Sequence, residues 1–393
     1  MNDEALTTIP SKPVSEEHDS LGYGTGVEIE AASEEDDRIR EPFDPDRIDV
    51  ITRNPTVDLL LSRIRTGRID LQPDFQRRPG IWTEERQSRL IESLLLRIPL
   101  PTLYAAEGED EAWTVVDGIQ RLTAITRFID PEAINARRLI LRKLEYLGKD
   151  YNGSSYDELT GRLQTRLRET ELVVHLIRHG TPEEVKFNIF ARINTGGMPL
   201  SAQELRHALI PGRARTLLRE WAAAPEFRSA TGGSVRDERM ADREMVLRFI
   251  AFRLSNPATY RSQDFDAFLR DWMRRVDELS EPRVKRLRED FRRSMRAAEQ
   301  IFGKYAFRKL YRPNEGRYPV NKALFEAEAV NLAKLSQDHL ETLRSKRGVV
   351  VKALMKLMAD VDFERAISQG TGDVSKVQLR FGRIQELFSG ELA

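Results

Sequence analysis

The chain has 393 residues, with 63 basic and 63 acidic side chains, 40% hydrophobic residues and no cysteine. This composition predicts a soluble globular protein of one large or two smaller domains, and it excludes disulfide bonds, thiolate nucleophiles and cysteine metal sites. The sequence contains no run of 18 apolar residues, and it begins without a basic or apolar leader. We therefore expect a cytoplasmic protein with neither a membrane span nor a secretory signal.

The charges are unevenly distributed along the chain. Residues 1–45 hold 13 acidic and 3 basic residues, so the remainder has an excess of about ten basic residues. A charged segment of low hydrophobicity buries too little apolar surface to fold, and we expect residues 1–45 to be a disordered acidic tail. A basic body with an acidic arm also fits a nucleic-acid-binding protein in which the arm competes with the ligand.

Short strands and helices alternate from about residue 46. Apolar residues over 48–51 predict a strand, and helical spacing over 57–64 predicts the first helix. The segment IDLQPDFQRRPGIW, with its two prolines, is typical of a loop, whereas TEERQSRLIESLLLRIP is an amphipathic helix that Thr83 caps. TLYAAE and AWTVVD predict two strands joined by a turn, and a helix over 119–129 follows them.

Strand patterns end near His179. RRLILRKL and ELVVHLIR predict two more strands around a polar insert, and a helix over 182–193 then leads to a glycine turn. Ser201 and Glu204 have the spacing of a capping box, which predicts the start of a helix over 201–209. Further helices are predicted at about 213–223, 241–255, 264–278, 283–303, 322–336, 347–360 and 374–389.

The predicted fold class is therefore α+β. A small mixed sheet and its helices would occupy residues 46–180, because strand and helix patterns mix there. An all-helical domain would occupy residues 181–393, where only helical patterns occur.

One strand-to-helix turn concentrates residues that suit an anion. In WTVVDGIQRLTAITRF, Asp117 ends an apolar strand, Gly118 follows, and Gln120 and Arg121 lie in the first turn of the next helix. A helix N-terminus favours phosphate, glycine allows close approach, and a guanidinium matches phosphate oxygens. Asp117 would hold Mg²⁺ or orient a water molecule. The alternative is that Asp117 caps the helix and Arg121 pairs with a surface acid.

A second polar segment precedes this turn by one helix and one hairpin. In FQRRPGIW, Gln76, Arg77 and Arg78 would add amide and cationic donors if both loops meet at one edge of the sheet. The alternative is that Phe75 and Trp82 anchor the core and that Arg77 makes a surface ion pair.

Taken in order, QPDFQRRPGIW, WTVVDGIQRLTAITRF and FNIFARINTGGMPLSAQELRHAL resemble the bacterial domains that are marked by a DGQQR box. Such domains occur in the GmrS part of GmrSD-type modification-dependent restriction enzymes and in related phage-defence proteins. The resemblance covers about residues 47–210 closely and the helical remainder loosely. It implies a ParB/sulfiredoxin-like fold that binds a nucleoside triphosphate (GTP, ATP or CTP) with Mg²⁺. In some relatives this domain hydrolyses the nucleotide and controls a nuclease.

The resemblance also implies roles for individual residues. Asp117, Gln120 and Arg121 would be catalytic, with Asp117 as the Mg²⁺ ligand and Gln120 orienting a water molecule or phosphate. The nucleotide-binding residues would be Gln76, Arg77, Arg78, Gly118, Arg121, Thr123 and Asn194. The third motif also contributes Arg192, Gly196, Gly197, Ser201, Glu204 and Arg206. Ile119 stands where the box has its first glutamine, so one polar group of the box is missing and a core position of the helix is filled instead.

The sequence carries no recognisable HNH nuclease. Its histidines form no His-x-x-Glu-His or paired-His motif; they are His18, His175, His179, His207 and His339. His175 and His179 are four residues apart, but His179 is typical of a loop, so a metal site between them is not expected.

Three other functions remain open. The basic helix EPRVKRLREDFRRSMRAAEQ would suit a non-catalytic DNA-binding module, although its interleaved acids also fit a solvated helix face. The chain could instead be a regulatory partner of a separately encoded nuclease, or its ParB-like unit could nick DNA with Asp117 and Glu204. The expected partners are DNA, modified or unmodified, and a nuclease or other defence subunit. Self-association is left open, and no membrane partner is expected.

Overall fold

A computed structural model of the protein describes residues 14–18, 22–31, 47–71, 82–108, 110–193, 200–237, 239–262 and 264–390. The chain divides into two compact units. We call Glu41–Leu200 the sheet unit, and we call Met1–Arg40 together with Ser201–Ala393 the helical unit. The division after the sheet unit falls near residue 200, whereas the sequence pattern placed it near residue 180.

The strands, in chain order, are β1 Glu16–His18, β2 Gly24–Glu28, β3 Val50–Arg53, β4 Ile69–Asp70, β5 Leu103–Glu107, β6 Trp113–Asp117 and β7 Val174–Ile177. The α-helices are α1 Val57–Arg65, α2 Glu84–Leu95, α3 Ile119–Ile129, α4 Gly148–Tyr151, α5 Gly161–Glu169, α6 Glu183–Ile193, α7 Ala202–Leu209, α8 Arg213–Ala222, α9 Pro225–Ala230, α10 Ala241–Leu254, α11 Phe265–Glu278, α12 Glu281–Phe302, α13 Lys322–Lys334, α14 Gln337–Ser345, α15 Arg347–Met358, α16 Val361–Ser368 and α17 Val374–Gly390.

The sheet unit is built on a mixed sheet with the strand order β3-β7-β5-β6-β4 among the described residues. β7 pairs antiparallel with β3 and parallel with β5, while β6 pairs antiparallel with β5 and parallel with β4. This small mixed sheet confirms the predicted α+β class, together with a following region, from residue 201, in which every named element of the described residues is helical.

One face of this sheet packs against amphipathic helices. Thr56 caps α1 and Thr83 caps α2, each by accepting a backbone N–H three residues along the helix, as the sequence predicted for Thr83. The apolar stripes of α1, α2 and α3 share one core with Leu103 and Ala105 of β5 and with Val174 of β7. Strand alternation therefore turns the intervening residues of β5 and β7 to the opposite face.

The strand predicted from RRLILRKL is wrong. Leu139 and Leu141 are fully buried, which explains the alternating pattern. Their backbone amides bond to the carbonyls of Arg127 and Ser154 instead, at 3.1 and 3.0 Å, and residues 137–144 join no ladder. Packing alone produced a strand-like sequence, because apolar alternation reports burial and not pairing.

The helical unit follows the predicted helices closely and adds others. α8, α10–α13, α15 and α17 begin and end within about two residues of the predicted limits. The sequence pattern missed α9, α14 and α16, which are short and lie directly beside longer helices. α10 and α13 are buried along nearly their whole length, and both carry charged residues into the interior.

Part of the predicted disordered tail is ordered, which corrects that prediction for residues 14–18 and 22–31. β1 and β2 pair antiparallel, and Val27 of β2 is fully buried beside Val320. The acids of this segment meet cations of the helical unit: Glu28 lies 2.7 Å from Lys309, and Glu30 pairs with Arg248. Local composition predicted disorder because it cannot reveal charges that neutralise an acid from more than 200 residues away.

Candidate functional site

The predicted anion site lies at the junction of β6 and α3. β6 ends at Asp117, and Gly118 is the N-cap residue of α3 with φ at +96°, a left-handed conformation that favours glycine. A Cβ on Gly118 would lie 2.0 Å from Cδ2 of the buried Leu103. Glycine is thus required both by the turn and by the close approach of β5. Because glycine has no side chain, Gly118 makes no capping hydrogen bond to the first amides of α3, and among the described residues no such cap is seen.

We expect Gly118→Ala to lower the free energy of unfolding by about 2–4 kcal/mol, since backbone strain and overpacking against Leu103 add. Gly67→Ala is the matched control, because Gly67 also has a positive φ, of +70°, but open space around it. That control should cost only about 1 kcal/mol. Urea unfolding of both variants measures the difference. Equal losses in the free energy of unfolding would show that the Leu103 side chain moves aside at little cost.

The side chain of Arg121 is buried and bonds to other residues of the protein. Its side chain is only 9% exposed, and Nη2 lies 2.9 Å from Oδ2 of Asp117. The guanidinium also donates to the carbonyl oxygens of Pro101 and, at 3.2 Å, of Thr102. Burial lowers the pKa of Arg121, although the neighbouring Asp117 acts in the opposite direction. Arg121 therefore fastens the junction to the segment that enters β5, and its partner is Asp117 and not a more distant surface acid.

The other predicted residues of the junction are half-buried. Asp117 keeps 39% of its side chain exposed beside its ion pair with Arg121. The side-chain amide of Gln120 makes no hydrogen bond to any part of the chain that the structure describes. Thr123 lies one turn further along α3 and is already engaged in an interaction.

Several predicted residues lie outside the described residues: Gln76, Arg77, Arg78 and Asn194, together with Phe75, Gly196 and Gly197. The chain leaves β4 at Leu71, just before the first of them, and Trp82, just after, packs against the core of the sheet unit. β4 runs parallel to its neighbour β6, so the carboxyl ends of both strands lie at the same end of the sheet. Leu71, the last residue described before this segment, therefore follows β4 at the end of the sheet where β6 ends at Asp117.

The third motif divides between the units. Arg192 is exposed near the end of α6 in the sheet unit. In the helical unit, Ser201 and Glu204 form the predicted capping box, and Glu204 also pairs with Arg239 at 3.3 Å. Arg206 is 1% exposed and pairs with Glu244 and Asp266. Ser201, Glu204 and Arg206 therefore make contacts within the helical unit that hold α7 in place.

Sequence reasoning missed a row of polar residues that crosses four strands. Thr52 of β3 faces His175 of β7, His175 faces Tyr104 of β5, and a bulge places Asp117 of β6 opposite Tyr104. The strand alternation of TLYAAE and ELVVHLIR marks Tyr104 and His175 as lying off the core face. Their adjacency depends on strand order and register, which the sequence pattern does not contain.

Across the described ranges, no group of three or more His, Asp or Glu side chains is arranged to hold a metal ion. His175 lies in β7 and His179 in the exposed loop after it, as predicted for His179. Among the described helices, none combines the length and apolar character that crossing a membrane requires.

The fold and the junction define an α+β domain with a strand–glycine–helix site, followed in sequence by a helical region. Residues 57–211 match the family model of the GmrSD restriction endonuclease, N-terminal domain. This match supports a GmrSD-type N-terminal domain over that segment, as the resemblance implied, and it associates the chain with a restriction or phage-defence system. No curated protein and no solved structure matches the chain.

Proposed function

We propose that the sheet unit binds a nucleoside triphosphate together with Mg²⁺ at the β6–α3 junction. The observation that carries the proposal is the left-handed Gly118, which leaves the amides of the first α3 turn without a side-chain cap beside a half-exposed carboxylate. Such amides and the positive end of the helix dipole attract phosphate. Gln120, with no partner in the described chain, lies in that same turn.

The charge balance of the junction makes Mg²⁺ part of the proposal. Asp117 and Arg121 largely neutralise each other, so a phosphate group would meet amides but little free positive charge. A single carboxylate fits Mg²⁺ only when phosphate oxygens and water complete its octahedral shell, as is usual for nucleotide-bound magnesium. Asp117 would supply that carboxylate, and Mg²⁺ would supply charge neutralisation and polarise a phosphoryl oxygen.

Hydrolysis would require a positioned water molecule. The Gln120 amide can donate and accept hydrogen bonds, which suits it to orient water against a phosphoryl group. Arg121 would act by fixing Asp117, and Arg77 would supply the cationic contact that Arg121 does not make. In a restriction system, such nucleotide binding would regulate action on DNA, modified or unmodified, by this chain or by a separate nuclease.

Calorimetric titration of GTP, ATP and CTP, with Mg²⁺ and with a chelator, tests the proposal. At least one nucleotide should bind in a Mg²⁺-dependent way. Asp117→Asn should weaken the binding of that nucleotide at least about tenfold, because it removes the carboxylate for Mg²⁺. The asparagine side chain would still accept a hydrogen bond from Arg121. Asp130→Ala is the matched control, since Asp130 lies at the other end of α3 and pairs with the exposed Arg65. Gln120→Ala should slow turnover more than it weakens binding. Failure of every nucleotide to bind, or normal binding by Asp117→Asn, would refute the proposal.

A second candidate function, DNA binding, rests on a basic surface of the helical unit. The chain has no acid between Glu341 and Asp360, and the basic side chains between them are exposed: Arg344, Lys346, Arg347, Lys352 and Lys356. The arginines of α12 largely pair with acids, as Arg288 does with Glu220. We propose that the surface of α14 and α15, rather than α12, contacts DNA phosphates.

Fluorescence anisotropy with a duplex across a salt series tests this second function. Replacing Lys352 and Lys356 together with glutamate should weaken binding and reduce the slope of log K against log salt by about 2. The matched control replaces the exposed Lys285 and Arg286 of α12 in the same way. Equal losses in both pairs would mean that general charge, and not this surface, holds the DNA.

A further inference from the structure

The polar row across the sheet ends at the carboxylate of the proposed nucleotide site. Tyr104 is the register partner of both Asp117 and His175, and Thr52 is the partner of His175. Neighbouring strands lie about 4.8 Å apart, so His175 lies roughly 10 Å from Asp117 along the row. The bulge between Tyr104 and Ala105 brings Asp117 opposite Tyr104, and bulges commonly re-aim side chains in this way.

The middle of the row is a pair of flat rings. The ring centroids of Tyr104 and His175 are 5.2 Å apart, with the planes tilted by 47°. Both side chains are half-buried, and they lie on the face opposite Leu103, Ala105 and Val174, which belong to the core. The rings are therefore held by the sheet without being enclosed by the core of the helices α1–α3.

The outer end of the row fixes the orientation of the imidazole. Nδ1 of His175 lies 3.0 Å from the hydroxyl oxygen of the exposed Thr52. Because the hydroxyl either donates to or accepts from Nδ1, the plane of the ring is set whichever tautomer is present. A ring that is held in one plane loses little conformational entropy when a second flat group stacks on it.

We infer that this row is the subsite for the base and sugar of the nucleotide, with Tyr104 and His175 as stacking platform and Thr52 as positioning residue. The inference rests on the proposed function, in which Asp117 and α3 take the phosphates. In a nucleoside triphosphate the sugar and the remaining phosphates separate the terminal phosphate from the base, so the base needs a platform one or two strand spacings away from Asp117. Aromatic and imidazole faces stack on any base, which makes the subsite tolerant of base identity.

Competition between a nucleotide and inorganic triphosphate separates the two parts of the site. Tyr104→Leu, which keeps apolar volume but removes the ring, should weaken Mg²⁺–nucleotide binding by roughly tenfold to a hundredfold and leave Mg²⁺–triphosphate binding unchanged. Tyr104→Phe should retain nucleotide binding, and His175→Ala should resemble Tyr104→Leu. Tyr146→Ala is the matched control, since Tyr146 is 74% exposed in the same unit. Asp117→Asn should weaken both ligands.

A second measurement uses the unaltered protein, so it does not depend on a variant that folds. Photolabelling with a nucleotide that carries an azide on its base, followed by mass spectrometry, should mark the peptides of β5 and β7. If the wild type binds neither ligand, the proposed function itself fails. Suppose instead that the wild type binds nucleotide. If Tyr104→Leu and His175→Ala then bind it as tightly as the wild type, or if the label falls only on other peptides, this inference is overturned and the proposed function stands.

Discussion

Glu30→Gln is expected to lower the free energy of unfolding of the helical unit by about 3 kcal/mol, because it removes one of the carboxylates that neutralise the buried Arg248, which keeps Glu244 and Glu326 as partners. The Glu30 carboxylate pairs with Arg248, whose side chain is 4% exposed, and accepts a hydrogen bond from the Thr371 hydroxyl at 2.8 Å. Lys322 lies 3.9 Å away. Burial opposes ionisation of Glu30, but Arg248 and Lys322 outweigh it and hold its pKa below the usual value.

The loss should depend on pH in a defined direction. A carboxyl group whose pKa is lowered on folding stabilises the protein above its pKa in the unfolded chain, near 4.5, and loses that contribution as the pH falls toward the lowered folded value. The difference between wild type and Glu30→Gln should therefore be constant from pH 6 to 8 and shrink below about pH 4.5. Urea unfolding at several pH values measures it.

Deletion of residues 1–31 should lower the free energy of unfolding of the helical unit by more than Glu30→Gln does, because it removes backbone hydrogen bonds as well as charge. The amide of Glu28 donates to the Val320 carbonyl at 2.8 Å, and the amide of Gly370 donates to the Ala31 carbonyl at 3.0 Å. A synthetic peptide of residues 14–31 should restore stability in a concentration-dependent way. Asp271→Asn, which removes an exposed ion pair with Arg274, is the control and should cost under about 1 kcal/mol. A stable truncated protein would contradict the expectation.

Arg121→Ala is expected to cost about 2–3 kcal/mol and to abolish measurable nucleotide binding, because one side chain holds together three parts of the junction. The carbonyl oxygens of Pro101 and Thr102 would lose their donor, and Asp117 would lose the cation that orients it. Arg121→Lys should be intermediate, since an ammonium group cannot reproduce the planar fork that meets several acceptors at once.

Hydrogen exchange followed by mass spectrometry locates the Arg121 effect. Exchange should quicken in β5, β6 and the first turn of α3, and stay unchanged in α10 and α13. Arg65→Ala is the control, because Arg65 is 65% exposed and pairs with Asp130 at the opposite end of α3. Stability and nucleotide affinity that both match wild type would mean that Arg121 neither fastens the junction nor positions Asp117.

The turn at Gly118 could be predicted from the sequence, whereas the contacts between strands in the site could not. The glycine at 118 was predicted from a local pattern, since a strand that stops at an acid and a glycine before a helix specifies a tight turn by itself. The partners of Arg121 were not, because Pro101 and Thr102 are about 20 residues away and are brought near by the pairing of β5 with β6. The row of Thr52, Tyr104 and His175 was likewise invisible, since it exists only across strands.

The sequence by itself determined the α+β class, the limits of most helices and the strand–glycine–helix junction, because helical periodicity, caps and turn residues act over a few neighbouring positions. Tertiary structure decided that RRLILRKL packs without pairing, that part of the acidic segment belongs to the helical unit, and which side chains line the sheet beside Asp117. These features depend on strand register and on charges far apart in the chain, and a local pattern carries no information about either.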